Sequence, residues 1–230
     1  MSYSYYEQKM KRLIVNADDL GYAEDVNEGI IRAHKEGIVT STSLMVKAQA
    51  ASHGVTLAKK YPRLGLGLHF QVEDDDLKLL WQTKRVIAAT LIERTKREFL
   101  EQVKVFEQLT GQMPDHIDSH HHVHKMPRIF LFIKSWCQKK GVPFRTQVNF
   151  IDSFFGIPSV EQVSIENLIS IIRNLPEGVS ELICHPGMTS PDLKSSYSKQ
   201  RELELKVLTS SRVKQEIERL GTELINWKQI

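Results

Sequence analysis

The sequence predicts an α/β protein built on a parallel sheet or barrel, and two observations support this prediction. About seven short β segments alternate along the chain with segments of helical periodicity, which is typical of parallel α/β folds. Polar residues capable of metal binding or catalysis follow the ends of several β segments. Because the carboxyl ends of parallel strands meet at one edge, we expect a functional site there.

Length and composition fit one globular domain that spans residues 1–230. Hydrophobic residues make up 41% of the chain and charged residues 26%, without a low-complexity tract that would mark a boundary. The 31 basic and 28 acidic residues are spread along the sequence and form no basic stripe. We therefore expect no nucleic-acid partner.

The chain lacks the hydrophobic segments that signal peptides and membrane helices require. Residues 1–10 contain no apolar core, and no later stretch offers about 18 uninterrupted apolar residues. The two cysteines, Cys137 and Cys184, fit a reducing compartment. We expect a cytoplasmic protein without membrane contact, and a homodimer is a reasonable expectation from the frequency of dimers among enzymes.

The first half of the chain contains four predicted strands and three predicted helices. Short apolar runs that end in turn residues indicate strands, and apolar residues at three- to four-residue spacing indicate helices. The strands are Leu13–Val15, Val39–Val46, Gly65–Leu68 leading into His69, and Asp115–His120. The helices are Glu24–Lys35, closed by Gly37, Ala50–Lys60, before Pro62, and Thr90–Leu109, ended by Gly111 and Pro114.

The second half continues the alternation. The predicted helices are Pro127–Lys140, Ile165–Leu175, capped by Ser164 and stopped by Pro176, and Lys199–Leu220, followed by Gly221. The predicted strands are Val142–Thr146, Glu181–Cys184 and Glu223–Trp227. Residues 148–163 fit either a strand or an apolar loop, and residues 190–198 are predicted to form a loop.

The stretch His116–His124 contains five of the nine histidines together with Asp118. Imidazole is the commonest protein ligand for transition metals, so a metal site is the first hypothesis. A strand would place His116, Asp118 and His120 on one face, whereas a helix would pair His120 with His116 and with His124. His120 is favoured in both cases. The alternative is a histidine-rich loop that binds metal adventitiously.

Candidate site residues lie at the ends of five predicted strands. They are Asp18, Asp19, His69, His120, Arg145 and His185. A hydrolytic site with one metal needs about three protein ligands and an open position, and Asp19, His69 and His120 supply such a set. Asp18 is the candidate base beside the metal water. The alternative for the two aspartates is a helix N-cap with a solvated neighbour.

The remaining candidates have several possible roles. His185 either donates a proton or is a turn residue bonded to backbone, and Arg145 orients a carboxylate, contacts a sugar or holds an aspartate. Asp118 is expected to bond a ligand histidine. Three more histidines of the stretch, His121, His122 and His124, either contact substrate or are exposed.

At these residues the sequence resembles the YdjC-like carbohydrate deacetylase family, which includes chitooligosaccharide deacetylases. The resemblance covers nearly the whole chain and rests on the segments Leu13–Gly21, Gly29–Ile31, Gly37–Leu44, Gly67–Phe70, His116–His124 and Cys184–Gly187. It implies an α/β fold, a distorted (β/α) barrel of seven or eight mostly parallel strands related to polysaccharide deacetylases.

The resemblance also implies a chemistry. A divalent metal, with magnesium expected first and zinc as the second choice, would be bound at Asp19, His69 and His120, with Asp18 as base and His185 as acid. From the residues themselves, Asp118, Arg145 and His124 are expected to support the ligands or to contact substrate. The reaction implied is hydrolysis of the N-acetyl group of a small acetylated amino sugar or chitooligosaccharide, which releases acetate.

The chain departs from the family after His69, where relatives commonly carry a Leu- and Thr-rich loop containing Gly-Pro. Here an acidic segment, Gln71–Asp76, leads towards Trp81. A shorter or different substrate-facing loop is therefore expected. Two other functions remain open from the sequence: a metal-dependent phosphoesterase or amidohydrolase, and a sugar- or metal-binding module without turnover.

Overall fold

The computed structural model describes residues 10–73, 88–155, 160–189 and 197–230. In these ranges seven strands form one sheet, and every strand pairing is parallel. The strands are β1 (Lys11–Leu20), β2 (Ser41–Leu44), β3 (Gly65–Phe70), β4 (Ile117–Ser119), β5 (Asn149–Ile151), β6 (Gly178–Cys184) and β7 (Glu223–Leu224). The predicted α/β class with a parallel sheet is confirmed.

The sheet has the strand order β4-β3-β2-β1-β6-β5, and β7 pairs with β1 near its start. Phe144 forms a parallel bridge with Ile117 of β4, and the same stretch of chain continues into β5, which pairs with β6 at the opposite edge. Residues 144–151 therefore connect the two edges, and the sheet curls towards the barrel that the resemblance implies.

Helices follow most of the strands and cover the outer face of the sheet. They are α1 (Glu24–Glu36), α2 (Ala51–Ala58), α3 (Ala88–Thr110), α4 (Pro127–Lys140), α5 (Ile165–Arg173), α6 (Ser198–Leu208) and α7 (Ser211–Leu220). Their ends carry the expected signals. Pro127 begins α4, Gly141 ends it in the left-handed conformation, and the Ser164 side chain accepts a hydrogen bond from the Asn167 amide in α5. None of the described helices is long and apolar enough to span a bilayer.

Side-chain alternation along β1 separates an apolar outer face from a polar interior. Leu13, Val15 and Ala17 join the main hydrophobic core. Ile14 instead belongs to a small interior cluster with Ile225 and Trp227, and Asn16 and Asp18 share its face of the strand. The strand thus directs Asp18 into the interior at the carboxyl end of the sheet.

The predicted strand Val142–Thr146 is wrong. Only Phe144 forms a bridge, and Arg145–Gln147 is a 3₁₀ turn. The Phe144 amide donates to the Gln147 side chain at 3.1 Å, so this N–H is not available to a sheet. Arg145 therefore lies on a turn, and the site candidates come from four strands and one turn.

Two C-terminal boundaries also differ from the predictions. The expected helix Lys199–Leu220 is two helices, α6 and α7, that break at Thr209 and Ser210. The Thr209 hydroxyl donates to the Leu205 carbonyl at 2.8 Å and competes with helix continuation. The last strand is only Glu223–Leu224, and a 3₁₀ turn follows at Trp227–Gln229.

The stretch 148–163, which the sequence left open, supplies β5 at Asn149–Ile151. Most of the altered segment after His69 and most of the loop predicted at 190–198 lie outside the described residues.

Candidate metal centre

A bulge at the end of β1 brings two adjacent carboxylates into one cavity. Ala17 pairs with Thr42 and Leu20 with Leu44, so β1 contains one extra residue between these pairs. Asp19 has φ 73°, in the left-handed region. A regular strand would direct Asp18 and Asp19 to opposite faces, but here both line the cavity. The N-cap position of α1 is Ala23, so neither aspartate is the helix cap considered from the sequence.

Asp19, His69 and His120 present one ligand atom each to a common point. Asp19 Oδ1 lies 3.4 Å from His69 Nε2 and 3.3 Å from His120 Nδ1, and the two imidazole nitrogens are 3.4 Å apart. Atoms at these separations lie on a circle of radius about 1.9 Å, so a cation just outside their plane would be about 2 Å from each. The structure therefore brings together the three residues expected to bind the metal, and their geometry fits one ion.

The site is closed on the protein side and open towards the cavity. Asp19 and His69 are buried, whereas 31% of the His120 side chain is exposed. The Asp19 oxygen Oδ1 is buried and has no hydrogen-bond partner among the described residues. A buried carboxylate oxygen without a donor is costly, and a cation at this point would satisfy it.

The second oxygen of Asp19 is held by Arg201 of α6, which the sequence did not reveal. Arg201 Nη2 donates to Asp19 Oδ2 at 2.6 Å, and the guanidinium lies against the rings of Tyr22 and Tyr197. Burial alone would raise the pKa of Asp19, but Arg201 and the two imidazoles hold that pKa well below its usual range. The carboxylate is therefore ionised and oriented with Oδ1 towards the imidazoles.

Asp118 fixes the orientation of His69. Its Oδ1 atom lies 2.7 Å from His69 Nδ1, and the Ser43 hydroxyl lies 3.3 Å from the same nitrogen. His69 Nε2 consequently faces Asp19 and His120. Burial opposes charging of His69, but the Asp118 and Asp18 carboxylates raise its pKa to about 10. The negative potential that produces this shift would also attract a metal cation.

Asp18 is held by a buried guanidinium. Arg145 donates from Nη1 to Asp18 Oδ2 at 2.9 Å and from Nη2 to Oδ1 at 2.6 Å, while Asn16 Nδ2 donates to Oδ1 at 2.8 Å. Burial alone would raise the pKa of Asp18, but Arg145 lowers it below its usual value. Of the three roles considered for Arg145, the structure shows that it holds an aspartate.

His185 lies on the same cavity, directly after β6. Its ring packs edge-on against Phe155 and Tyr197, and its backbone amide donates to the buried carboxylate of Glu204. Its Nδ1 atom is buried and has no hydrogen-bond partner among the described residues. His185 is therefore fixed through its backbone, with its imidazole beside the space that Asp19, His69 and His120 face.

The cavity has a volume of about 450 Å³, within the range of small-molecule sites. Its walls combine the aromatic side chains of Tyr22, Phe155 and Tyr197 with the imidazoles that follow β4. His121 and His122 have φ values of 51° and 54°, and both line the cavity. Two consecutive left-handed residues that are not glycine are costly, which is common at functional sites.

The outer histidines of the stretch lie elsewhere. His116 is fully buried, and its ring stacks on Trp227 with centroids 5.0 Å apart. His124, expected to support the ligands or contact substrate, is also fully buried and does not line the cavity. Its Nδ1 atom lies 2.6 Å from the Ser119 hydroxyl, and burial lowers its pKa to about 3. His124 is therefore neutral and packs the turn that carries His120.

Three charged residues near the site were missed from the sequence: Glu181, Arg201 and Glu204. A signal existed for each. Glu181 interrupts an apolar strand, and Arg201 and Glu204 share a helix face with the buried Leu205 and Leu208. Charges at core-facing positions require partners, which here are Arg145, Asp19 and the His185 amide.

The chain matches the family model described as YdjC-like protein over residues 12–219. It is 34% identical to a carbohydrate deacetylase of Clostridium beijerinckii, across 95% of this chain and 100% of that relative. It is 33% identical to a chitooligosaccharide deacetylase of Serratia marcescens, across 92% of this chain and 96% of the relative.

Solved structures agree with this relationship. A crystal structure from Enterococcus faecalis V583, whose name refers to cellobiose-phosphate cleavage, has a TM-score of 0.82 at 27% identity and covers 96% of this chain and 98% of its own. The polysaccharide deacetylase Bc1974 from Bacillus cereus has a TM-score of 0.59 at 12% identity, covers 94% and 91%, and shows the shared fold alone. The expected fold relation to polysaccharide deacetylases is thus confirmed, and the chain belongs to the YdjC-like protein family.

Proposed function

We propose that this protein is a metal-dependent hydrolase that removes the N-acetyl group from a small acetylated amino sugar or chitooligosaccharide and releases acetate. One observation carries the proposal: the triangle of Asp19, His69 and His120 shares its cavity with an arginine-held aspartate and a histidine. The names of the relatives, carbohydrate deacetylase and chitooligosaccharide deacetylase, support the substrate class.

The donor atoms bear on the choice of metal. The resemblance places magnesium first, but magnesium prefers oxygen ligands, and two of the three donors are imidazole nitrogens. Separations of 3.3–3.4 Å also fit three corners of a tetrahedron with bonds of about 2 Å. We therefore propose zinc or a similar transition metal, to be compared directly with magnesium.

The reaction assigns a separate task to each side chain. A divalent ion bound there would polarise the acetamide carbonyl and lower the pKa of the attacking water. Asp18 accepts a proton from the attacking water while the water oxygen bonds to the acetyl carbon. Arg145 keeps Asp18 ionised and fixed in place. His185 donates a proton to the amide nitrogen as the C–N bond breaks, which gives acetate and a free amine.

The two-metal alternative, a phosphoesterase, has less support. A second group of possible ligands, Asp18, His69 and Asp118, lies beside the first. However, Arg145 Nη2 lies 2.6 Å from Asp18 Oδ1 and 2.7 Å from Asp118 Oδ2, so a guanidinium already supplies the positive charge there. This arrangement supports a single ion and a protein-held base.

The test is acetate release by the purified protein. N-acetylglucosamine and acetylated chitooligosaccharides are incubated with chelator-treated protein and with added zinc or magnesium. We expect release that depends on metal and falls at least about 100-fold in His120→Ala, since one metal ligand is lost. His53→Ala removes a histidine that does not line the cavity and is the matched control. The absence of acetate from every substrate, or undiminished release by His120→Ala, would contradict the proposal.

A further inference from the structure

The guanidinium that holds Asp18 serves two further carboxyl groups from two other strands. Arg145 Nη2 lies 2.7 Å from Asp118 Oδ2 in β4 and 3.0 Å from Glu181 Oε1 in β6. Its Nε atom donates to Glu181 at 3.0 and 3.1 Å. All four side chains are buried, so one cation faces three acids in the interior of the barrel.

The three acids differ in their other partners. Asp18 also receives a hydrogen bond from Asn16, and Asp118 contacts His69 and Asn16. Within the described part of the chain, the side chain of Glu181 accepts hydrogen bonds from Arg145 alone. Three ionised carboxylates around one guanidinium would bury more negative charge than that cation can balance. The acid with the fewest donors is therefore the one that retains a proton.

We propose that Glu181 is a positioning residue for Asp18 that acts through Arg145 as a neutral carboxylic acid. The inference rests on the proposed function, because it assigns Asp18 the task of base. Glu181 anchors the Nε edge of the guanidinium and thereby turns its Nη1 and Nη2 atoms towards Asp18. Because a neutral Glu181 carries no charge, the positive charge of Arg145 is left to offset the negative charges of Asp18 and Asp118.

The surroundings of Glu181 agree with this assignment. Burial, together with the charges of Asp118 and Asp18, raises the pKa of Glu181 to about 8 against the opposing effect of Arg145. Its register partners are Ile14 of β1 and Phe150 of β5, which offer no charge. On its own strand the thiol of Cys184 is buried, and burial raises its pKa far above the usual value.

Two substitutions separate the anchoring role from the charge. Glu181→Leu removes the acceptor for Arg145 Nε, whereas Glu181→Gln retains a neutral acceptor of the same size. We expect Glu181→Leu to lower kcat by about 10- to 100-fold with little change in KM, the usual effect of losing an outer hydrogen-bond partner. Glu181→Gln should restore most of that loss near neutral pH. The zinc dissociation constant should be similar in all three proteins, since Glu181 does not contact the metal ligands.

A spectroscopic measurement tests the protonation state independently of activity. Infrared difference spectra between the wild type and Glu181→Gln near neutral pH should show the carbonyl stretch of one buried carboxylic acid. The proposal is overturned if that band is absent, if Glu181→Gln loses as much activity as Glu181→Leu, or if Glu181→Leu turns over like the wild type. If the wild type releases no acetate, the proposed function fails, while the infrared result still decides the state of Glu181.

Discussion

His69 and Asp118 face each other in register on adjacent strands, with Nδ1 of the imidazole 2.7 Å from Oδ1 of the carboxylate. The contact leaves Nε2 of the same ring directed at Asp19 and His120. A strand pairing in the barrel wall therefore determines which nitrogen of His69 is available to a metal ion.

Substitution of Asp118 should weaken metal binding although the residue is not a ligand in the proposed site. In Asp118→Asn the His69 ring loses a charged partner, so we expect the zinc dissociation constant to rise by about 10- to 100-fold. Competition with a chromophoric chelator measures this constant. The exposed Asp152→Asn is the control. Equal affinity in Asp118→Asn and the control would show that Asp118 does not orient the ligand.

Removal of the Arg201 charge should destabilise the metal-free protein more than the metal-bound protein. In Arg201→Met the buried Asp19 carboxylate loses its cation, a change that typically costs about 3–5 kcal/mol. A bound divalent ion compensates part of that charge, so the loss should shrink when zinc is saturating. Thermal unfolding with chelator and with zinc measures both values, and Arg201→Lys retains the charge as a control. The same loss under both conditions would contradict the role given to Arg201.

The left-handed backbone at His121 should discriminate between two substitutions that both remove the imidazole. Glycine adopts φ 51° without strain, whereas a β-branched side chain does not. We therefore expect His121→Val to be less stable than His121→Gly by roughly 1–2 kcal/mol. Urea unfolding at equal m-values gives the difference. If valine is as stable as glycine, the backbone at this position is not left-handed.

Gly29 controls the position of the loop that carries His185. A Cβ atom at Gly29 would lie 2.4 Å from the Cα atom of Gly187, which is a backbone contact that cannot be relieved by a rotamer change. Gly29→Ala should therefore cost about 1–3 kcal/mol of stability and also lower kcat, because the His185 loop shifts.

Gly141→Ala provides the comparison for Gly29→Ala. Gly141 has φ +65°, and a Cβ atom added there would have no neighbour within 4 Å among the described residues, so it introduces backbone strain without a clash. The Gly141→Ala variant should therefore be less stable than the wild type but retain the wild-type kcat. If Gly29→Ala loses as much stability as Gly141→Ala but retains the wild-type kcat, the contact between Gly29 and Gly187 does not affect catalysis.

The raised pKa of Glu181 has a consequence for stability. Glu181 has a pKa of about 8 in the folded protein, whereas a glutamate in an unfolded chain has a pKa of about 4.3. The folded state therefore retains a proton that the unfolded state releases between these values. Its contribution to stability is fully present below about pH 4.3 and is lost as the pH rises to about 8. The stability of the wild type relative to Glu181→Gln should fall across this interval. A difference that does not change with pH would mean that Glu181 is ionised in the folded protein.

The convergence of Asp19, His69 and His120 was predictable because the carboxyl ends of parallel strands meet at one edge of the sheet. Asp19, His69 and His120 each follow or end an apolar β segment, and the carboxyl ends of such segments meet at one edge. The sequence also predicted that Asp118 bonds one of the histidines proposed as ligands, since the residue falls within the histidine-rich stretch, and Asp118 contacts His69. These inferences need only strand alternation and the direction of the chain.

The partners of the aspartates were less accessible. Arg145 was identified as a candidate, but its placement on a strand was wrong, because the Gln147 side chain caps a turn there. Arg201 shares a helix face with buried leucines, which indicates burial, but its pairing with Asp19 depends on how that helix docks against β1. His124 matched the helical spacing from His120, yet the turn buries it against Ser119. The position of a side chain that depends on helix docking or on a single turn can thus be determined only from the three-dimensional structure.

The most direct test of the central claim is anomalous diffraction from crystals grown with zinc, recorded on both sides of the zinc absorption edge. The account predicts one peak in the cavity, about 2 Å from Asp19 Oδ1, His69 Nε2 and His120 Nδ1. A peak bound by other residues, or an empty triangle in crystals of protein that releases acetate at the full rate, would contradict it.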